Sequence, residues 1–234
     1  MSVINLYCAG AAQAVASEIA AQLEAQTGHR VQATYGAVGA MKAHVVGGKP
    51  ADVIVLSGAL IDELVSSGHV VAGSRVDLGR VGTGVAVRAG TPLPDVSSAA
   101  ALKSSLLAAA RIVCPDPATA TAGKVVVGVL ERLGIHEQVK ARLQFFPNGY
   151  AAMADLAATK DAGQMGITQV TEILPNKGVT LVGPLPGDLQ TMTTYSVGLA
   201  AGAQEPALAR DFIGRLTGPA AQSLLAAAGY QTGG

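Results

Sequence analysis

Five short segments carry the residues whose types and spacing could do chemistry. They are Ala9 to Ala12, Gly36 to Ala40, Ser57 to Ala59, Pro115 to Gly123 and Pro147 to Ala151. Each follows a short apolar run and opens a run of helical period. The first N–H groups of a helix have no acceptor within it, and the helix dipole is positive there. Glycine and alanine let a ligand come close to such a backbone, so a set of loops like this suits an anion. The candidate ligand-binding residues are Gly10, Ala11, Ala12, Val38, Gly39, Ala40, Ser57, Thr121, Ala122, Gly149 and Tyr150, with Gln169 at the end of a further apolar run. The same small residues also suit tight turns and close helix–strand packing, and any one loop alone leaves both readings open.

Other chemistries find little support. These loops hold one carboxylate, Asp116, between two prolines, where a turn or cap role suits it. A cation site would need several oxygen ligands. His29, His44, His69 and His136 lie in separate segments without metal-ligand spacing, so no metal is expected. No serine has the G-x-S-x-G setting of a hydrolase elbow. Gly82-Thr83-Gly84 sits in a strand-like run rather than at a first βα turn, so no dinucleotide cofactor is expected. Cys8 and Cys114 stand in apolar runs and read as buried core residues. Lys42, one turn into a helix, and Lys124, just after Gly123, are candidate cations near the loops, or solvated surface lysines.

The elements that must position these loops follow from the hydrophobic periods. The chain has 234 residues, half of them hydrophobic but only 3% aromatic, and 29 are glycine. Such a composition excludes a disordered chain. Sixteen basic residues balance sixteen acidic ones, which gives no field for a nucleic acid. No uninterrupted apolar stretch reaches the roughly 18 residues of a membrane span. Short β-branched runs alternate with helix-period runs, which predicts α/β architecture with mostly parallel strands. Val3–Cys8, Val31–Tyr35 and Val53–Leu56 read as strands, each followed by a helix. Arg111–Cys114, Leu143–Phe146 and Gln164–Ile167 repeat the arrangement.

Two long apolar runs, 81–88 and 194–200, have no helix-period run beside them. They read as crossovers between two lobes. Lobe I then holds 1–80 and 201–234, and lobe II holds 81–200 with both crossover strands. Two crossings make a hinge, and a cleft between lobes is a common ligand site.

Several segments resemble the periplasmic molybdate-binding protein family. They are Ile4–Ala12, Tyr35–Lys42, Lys49–Val55, Asp116–Gly123 and Gly166–Gln169, and the likeness runs from Val3 to about Tyr230. The resemblance implies the type 2 periplasmic-binding-protein fold: two lobes, mixed and mostly parallel sheets flanked by helices, two crossover hinge strands and an oxyanion in the cleft. It also implies serine hydroxyls in the first two loops and a tyrosine late in lobe II. Here Ala11, Val38 or Gly39, and Gln169 stand in those places. The loss of charged-acceptor hydrogen bonds, at roughly 1.5–3 kcal/mol each, disfavours molybdate. An organic carboxylate with an apolar body to lie against Val38 and Tyr150 suits the loops better.

Two functions follow. The first is a small-anion binding protein that closes two lobes on its ligand, with an ABC permease as partner if the chain is exported. The second is an isomerase like the aconitate isomerase that resembles the same family, moving a proton on a di- or tricarboxylate. Lys42, Lys124 and Tyr150 are its candidate proton carriers, with Cys8 and Asp116 behind them. No basic leader precedes Val3, so the chain as written reads as cytoplasmic, or as periplasmic if a leader has been removed.

Overall fold

A computed structural model describes residues 1–232. The chain divides into two compact units: Met1–Val81 with the chain from Thr193 on, and Gly82–Met192. It leaves the first unit at Val81–Gly82 and returns at Met192–Thr193.

The first unit begins with β1 (Val3–Ala9), a 3-10 turn (Gly10–Ala12) and α1 (Gln13–Thr27). Then come β2 (Arg30–Gly36), α2 (Val38–Val46), β3 (Val53–Ser57), α3 (Gly58–Ser66) and β4 (Val76–Val81). The second unit runs β5 (Thr83–Arg88), α4 (Ala99–Ala108), β6 (Arg111–Pro115), α5 (Thr121–Arg132), α6 (His136–Val139), β7 (Leu143–Phe146) and α7 (Gly149–Ala158). It ends with β8 (Gln164–Gln169), α8 (Val170–Ile173) and β9 (Val179–Pro184). The chain closes in the first unit with β10 (Thr193–Leu199), α9 (Pro206–Thr217) and α10 (Pro219–Ala227).

Each unit holds one five-stranded sheet. The first has the order β2-β1-β3-β10-β4, the second β7-β6-β8-β5-β9. In the first, β2, β1 and β3 are parallel, while β10 is antiparallel to both β3 and β4. In the second, β7, β6 and β8 are parallel, while β5 is antiparallel to both β8 and β9. Four of five strands therefore point one way in each sheet. This is the two-lobe fold of type 2 periplasmic binding proteins. Its consequence is local: within each sheet, the loops that follow the parallel strands emerge at one edge.

The sequence merged two strands in 81–88. The structure breaks that run at Gly82, so β4 ends one unit and β5 starts the other. A Cβ on Gly82 would stand 2.9 Å from the Gln190 amide nitrogen, which with its partner oxygen clasps the Thr83 backbone. The second run, 194–200, which the sequence reading counted with lobe II, pairs as β10 in the first sheet.

Each unit has its own core. Strand β3 is buried over its whole length, as expected of a strand covered on both faces. Ile4, Leu6, Ile19, Leu23, Ile61, Leu64 and Phe212 pack around it. In the second unit Leu102, Leu106, Ile112, Val126 and Leu130 pack on one sheet face, and Met153, Leu156 and Ile173 form a separate cluster.

Asp52 ties the start of β3 to two distant segments. Its buried carboxylate accepts from the Asn5 backbone N–H at 2.7 Å and from the Gln204 N–H at 2.7 Å. It also accepts from the Asn5 side chain and the Glu205 N–H. The last two of these backbone donors lie just before α9, so Asp52 caps the approach to that helix. Removing one buried carboxylate leaves four donors without an acceptor. Asp52→Ala should lower stability by about 2–4 kcal/mol, read as a shift of the urea midpoint at unchanged slope.

Candidate functional site

The loops after β1, β2 and β3 leave one edge of the first sheet, and those after β6, β7 and β8 leave one edge of the second. In the first unit Gly10, Ala11 and Ala12 are all buried in the 3-10 turn that leads into α1. The Tyr230 hydroxyl donates to the Ala11 carbonyl at 3.0 Å and pins this turn to the C-terminal segment. Tyr230 also meets Tyr195 edge to face, with centroids 6.4 Å apart.

Helix α2 opens after Ala37, whose backbone is extended, with no capping side chain. The Met41 N–H is the first to reach a carbonyl of this helix, that of Ala37. Val38, Gly39 and Ala40 therefore have no acceptor for their N–H groups within it. Helix α3 opens in the same way after Ser57, whose hydroxyl makes no cap bond. Neither helix has an acidic residue in its first turn.

In the second unit, α5 also opens without a capping side chain or an acid in its first turn. The Lys124 N–H is bonded to the Ala120 carbonyl, so Thr121, Ala122 and Gly123 have no acceptor within the helix. The loop before it is held by Asp116, whose Oδ1 accepts from Ala118 N–H at 2.8 Å and whose carbonyl accepts from Thr119 and Ala120. Asp116 is thus a turn residue, bonded within its own loop. Gly123 is required by close approach: a Cβ there would lie 2.4 Å from the Pro115 carbonyl oxygen.

Helix α7 is different. Asn148 caps it by accepting from the Ala151 N–H at 2.9 Å. The Gly149 N–H, expected as a ligand donor, is bonded to Glu172 Oε1 at 3.3 Å. Glu172 is buried on α8, and its Oε2 accepts from the Thr168 hydroxyl at 2.6 Å. Gln169 ends β8 and is buried beside it. Burial pushes the Glu172 carboxyl from its ordinary value near 4.5 up to about 7, although bonds from Thr168, Gly149 and Gln169 oppose the rise.

Of the remaining candidates, Lys42, Lys124 and Tyr150 lie on helices α2, α5 and α7. Lys42 is ion-paired with Glu63 on α3. Lys124 is exposed, the fourth residue of α5. Tyr150 is half-buried at the second position of α7. Cys8 is fully buried, and burial pushes its thiol far above the ordinary range; Cys114 is pushed up to about 12. Neither thiol supplies a base near neutral pH. Tyr35 accepts from the Ser17 hydroxyl at 2.9 Å, and Tyr7 lies against His44 with ring centroids 5.4 Å apart. Among the described residues, no three His, Cys, Asp or Glu side chains gather as a metal would need. No helix among them is long and apolar enough to cross a membrane. A cavity of about 350 Å³ in the second unit reaches Gly163 and Gln164, where β8 begins, at the sheet edge opposite the loops.

Sequence reasoning missed Glu172, Thr168 and Asn148. The Asn of Pro147-Asn148-Gly149, just before the helix, was a legible N-cap signal. Nothing in the sequence marked Glu172, 23 residues from the amide it meets.

A family model described as bacterial extracellular solute-binding protein matches residues 4–231. The chain belongs to that family. It is 33% identical over 163 residues to an aconitate isomerase from Pseudomonas sp., covering 69% of this chain and 60% of that relative's length. It is 28% identical over 217 residues to the molybdate-binding protein ModA of Azotobacter vinelandii, covering 91% of this chain and 83% of the relative. The solved periplasmic molybdate-binding protein of Azotobacter vinelandii superposes with a TM-score of 0.82 at 22% identity, over 99% of this chain and all of that one. The sulfate-binding protein SubI of Mycobacterium tuberculosis H37Rv gives 0.73 at 22% identity, over 98% and 86% of the two chains.

The protonation of Glu172 bears on this solute-binding protein's stability. Its folded value lies above its unfolded one, so the folded state holds the proton more tightly between pH 4.5 and about 7. The stabilisation is fully present below the lower value and is lost as pH rises through the upper one. From Glu172 alone, stability should fall by roughly 3 kcal/mol across that window. In Glu172→Gln that component should vanish, and urea midpoints at pH 4.5, 6 and 8 should differ less than in the wild type.

Proposed function

We propose that this solute-binding protein takes a small anion, held chiefly by backbone N–H groups of its strand-to-helix loops. The observation that carries the reading is a set of three uncapped helix starts at strand-to-helix loops. Helices α2, α3 and α5, which open directly after parallel strands, have no capping side chain and no acid in their first turn. Helix α4, which opens after a long loop, is capped by the Ser98 hydroxyl at 3.1 Å. Donors left over at these three starts suit an anion. Helix α7, which also follows a parallel strand, is capped by Asn148, and α9 and α10, uncapped as well, each carry a proline in the first turn, which has no N–H to leave over. Relatives named for binding molybdate and sulfate support an anion, and the relative named an aconitate isomerase supports a carboxylate.

The ligand is an organic di- or tricarboxylate in this reading rather than molybdate. Ala11, Val38 and Gly39 carry no hydroxyl, and Lys42 is already neutralised by Glu63. The protein's location is then outside the cytoplasm, and its partner is an ABC permease.

A second reading has one observation in its favour, the 33% identity to the aconitate isomerase. A proton shift on a bound tricarboxylate would need a carrier: Lys42 is ion-paired with Glu63, Cys8 is a buried thiol and Asp116 is bonded within its own loop, which leaves Lys124 and Tyr150 as the candidates. Turnover decides between the readings.

The test is a thermal-shift screen of sulfate, molybdate, citrate, trans-aconitate and succinate, with product analysis on each hit. A carboxylate should raise the melting temperature more than molybdate does. In Thr121→Pro, the preceding Ala120 is already extended (φ −115°, ψ 132°), so the proline fits the first helical position and removes one N–H. Its affinity for the best carboxylate should drop by about tenfold or more, the effect of one lost bond to a charged acceptor. A molybdate shift exceeding that of every carboxylate would overturn the ligand class.

A further inference from the structure

Two acidic side chains are buried among the described residues, Asp52 and Glu172. Asp52 is satisfied by four donors within the first unit. Glu172 instead sits against the first N–H of α7, at the same sheet edge as the Asp116–Gly123 loop. Its carboxylate occupies the place at a helix start that an external anion would otherwise take. The fit is close: a Cβ on Gly149 would lie 2.0 Å from Glu172 Oε2 and 2.3 Å from the Thr168 hydroxyl oxygen.

The groups around Glu172 leave its charge uncompensated by any cation. Helix α8 packs on α7, β5, β8 and β9. Their ionisable side chains are Tyr150 and Asp155 on α7 and Arg88 on β5, and β8 and β9 carry none. Asp155 is paired with Arg111. Arg88 lies five residues along β5 from Thr83, whose partner in β8 is Gln169, which places Arg88 about 17 Å down the sheet. Ionised Glu172 therefore has only dipoles to stabilise it: the Thr168 hydroxyl and backbone N–H groups.

We propose that Glu172 is a specificity-determining residue of the anion site. Neutral, it leaves the positive end of α7 to the ligand; ionised, it claims the Gly149 N–H and repels the ligand's charge. The inference rests on the anion-binding reading above. Its sign follows from linkage: a ligand that prefers neutral Glu172 raises that group's proton affinity, so binding takes up a proton near neutral pH, and affinity falls as pH rises. The folded carboxyl titrates near 7, which places the change between pH 6 and 8.

Calorimetry with sulfate and with trans-aconitate tests it: sulfate keeps a constant charge over that range, and titration of the last carboxyl of trans-aconitate is common to the wild type and the variant. Titrations at pH 6, 7 and 8, each in two buffers of different ionisation enthalpy, give affinity and proton uptake. The wild type should bind at least one probe, lose about tenfold in affinity from pH 6 to 8, and take up a fraction of a proton at pH 7. Glu172→Gln should bind with little pH dependence, near the wild-type affinity at pH 6, and without that uptake. The histidines titrate in the same window but are common to both proteins, so the difference isolates Glu172. Thr168→Val removes a bond that favours the ionised form and should move the fall in affinity to higher pH. If a probe binds and the wild type and Glu172→Gln share one pH profile, or if the variant, folded by circular dichroism, fails to bind at any pH, the role of Glu172 is overturned while the anion site stands. If neither probe binds the wild type at any pH, the anion-binding reading falls, and this inference falls with it.

Discussion

The first turn of a helix has more N–H groups than acceptors, and the rest of this structure is arranged around where those donors go. After β2, β3 and β6 the chain enters a helix within a few residues, and no side chain is placed to receive the leftover N–H groups. Such an arrangement costs free energy if the groups are buried and unmatched, so it persists where something else meets them. The small residues at these turns follow from the same geometry. Gly123 packs its Cα against the backbone of Pro115 to Pro117, which brings the start of α5 tight against the end of β6. Asp116, the carboxylate nearest to that helix start in sequence, turns into its own loop instead of capping the helix.

Charge is the second constraint, and it acts through dipoles. The lysine nearest to the second loop in sequence is tied to Glu63, and each exposed ion pair of this type contributes little in solvent. A bound anion would then be compensated by oriented N–H groups with partial charges, which are fixed before the ligand arrives and need no rearrangement. Fixed dipoles tolerate a modest negative charge better than a concentrated one. That fits the absence of hydroxyls at Ala11, Val38 and Gly39 in the first unit, and in the second unit it makes an internal negative charge beside that sheet's own loops consequential. The buried carboxyl of Glu172 is such a charge.

Much of the architecture was legible because it depends on periodicity. The runs Val3–Cys8, Val53–Leu56, Arg111–Cys114 and Gln164–Ile167 appear as β1, β3, β6 and β8 with ends shifted by one to two residues. Strand β4 escaped because Val76 to Val81 alternates weakly and is interrupted by Asp77, Gly79 and Arg80. The merged run 81–88 shows the limit of the method: apolar continuity across Gly82 hides a change of sheet, which is decided by the pairing of β10 with β4 and of β8 with β5. The Pro-Ala-Asp segment was read only as part of a resemblance. The structure gives Asp52 a physical task, joining β1, β3 and the approach to α9.

The loops themselves were legible as loops, but what each small residue is for was not, and Gly149 shows why. From sequence, a glycine at a strand-to-helix turn reads as room for a ligand. In the structure that room is filled by the protein: a side chain at 149 would strike Glu172 and Thr168, both from the β8–α8 segment. Glycines 123 and 149 look alike in sequence, each in the first turn of a helix. One admits the backbone of its own preceding loop, and the other admits a carboxyl from 23 residues away. Local composition can say that a helix start is kept clear, but only tertiary contacts can say for whom. At α2, α3 and α5 no side chain takes that place, whereas at α7 an internal acid does, and an acid that ionises near neutrality turns one corner of an otherwise static set of dipoles into one whose charge depends on its surroundings.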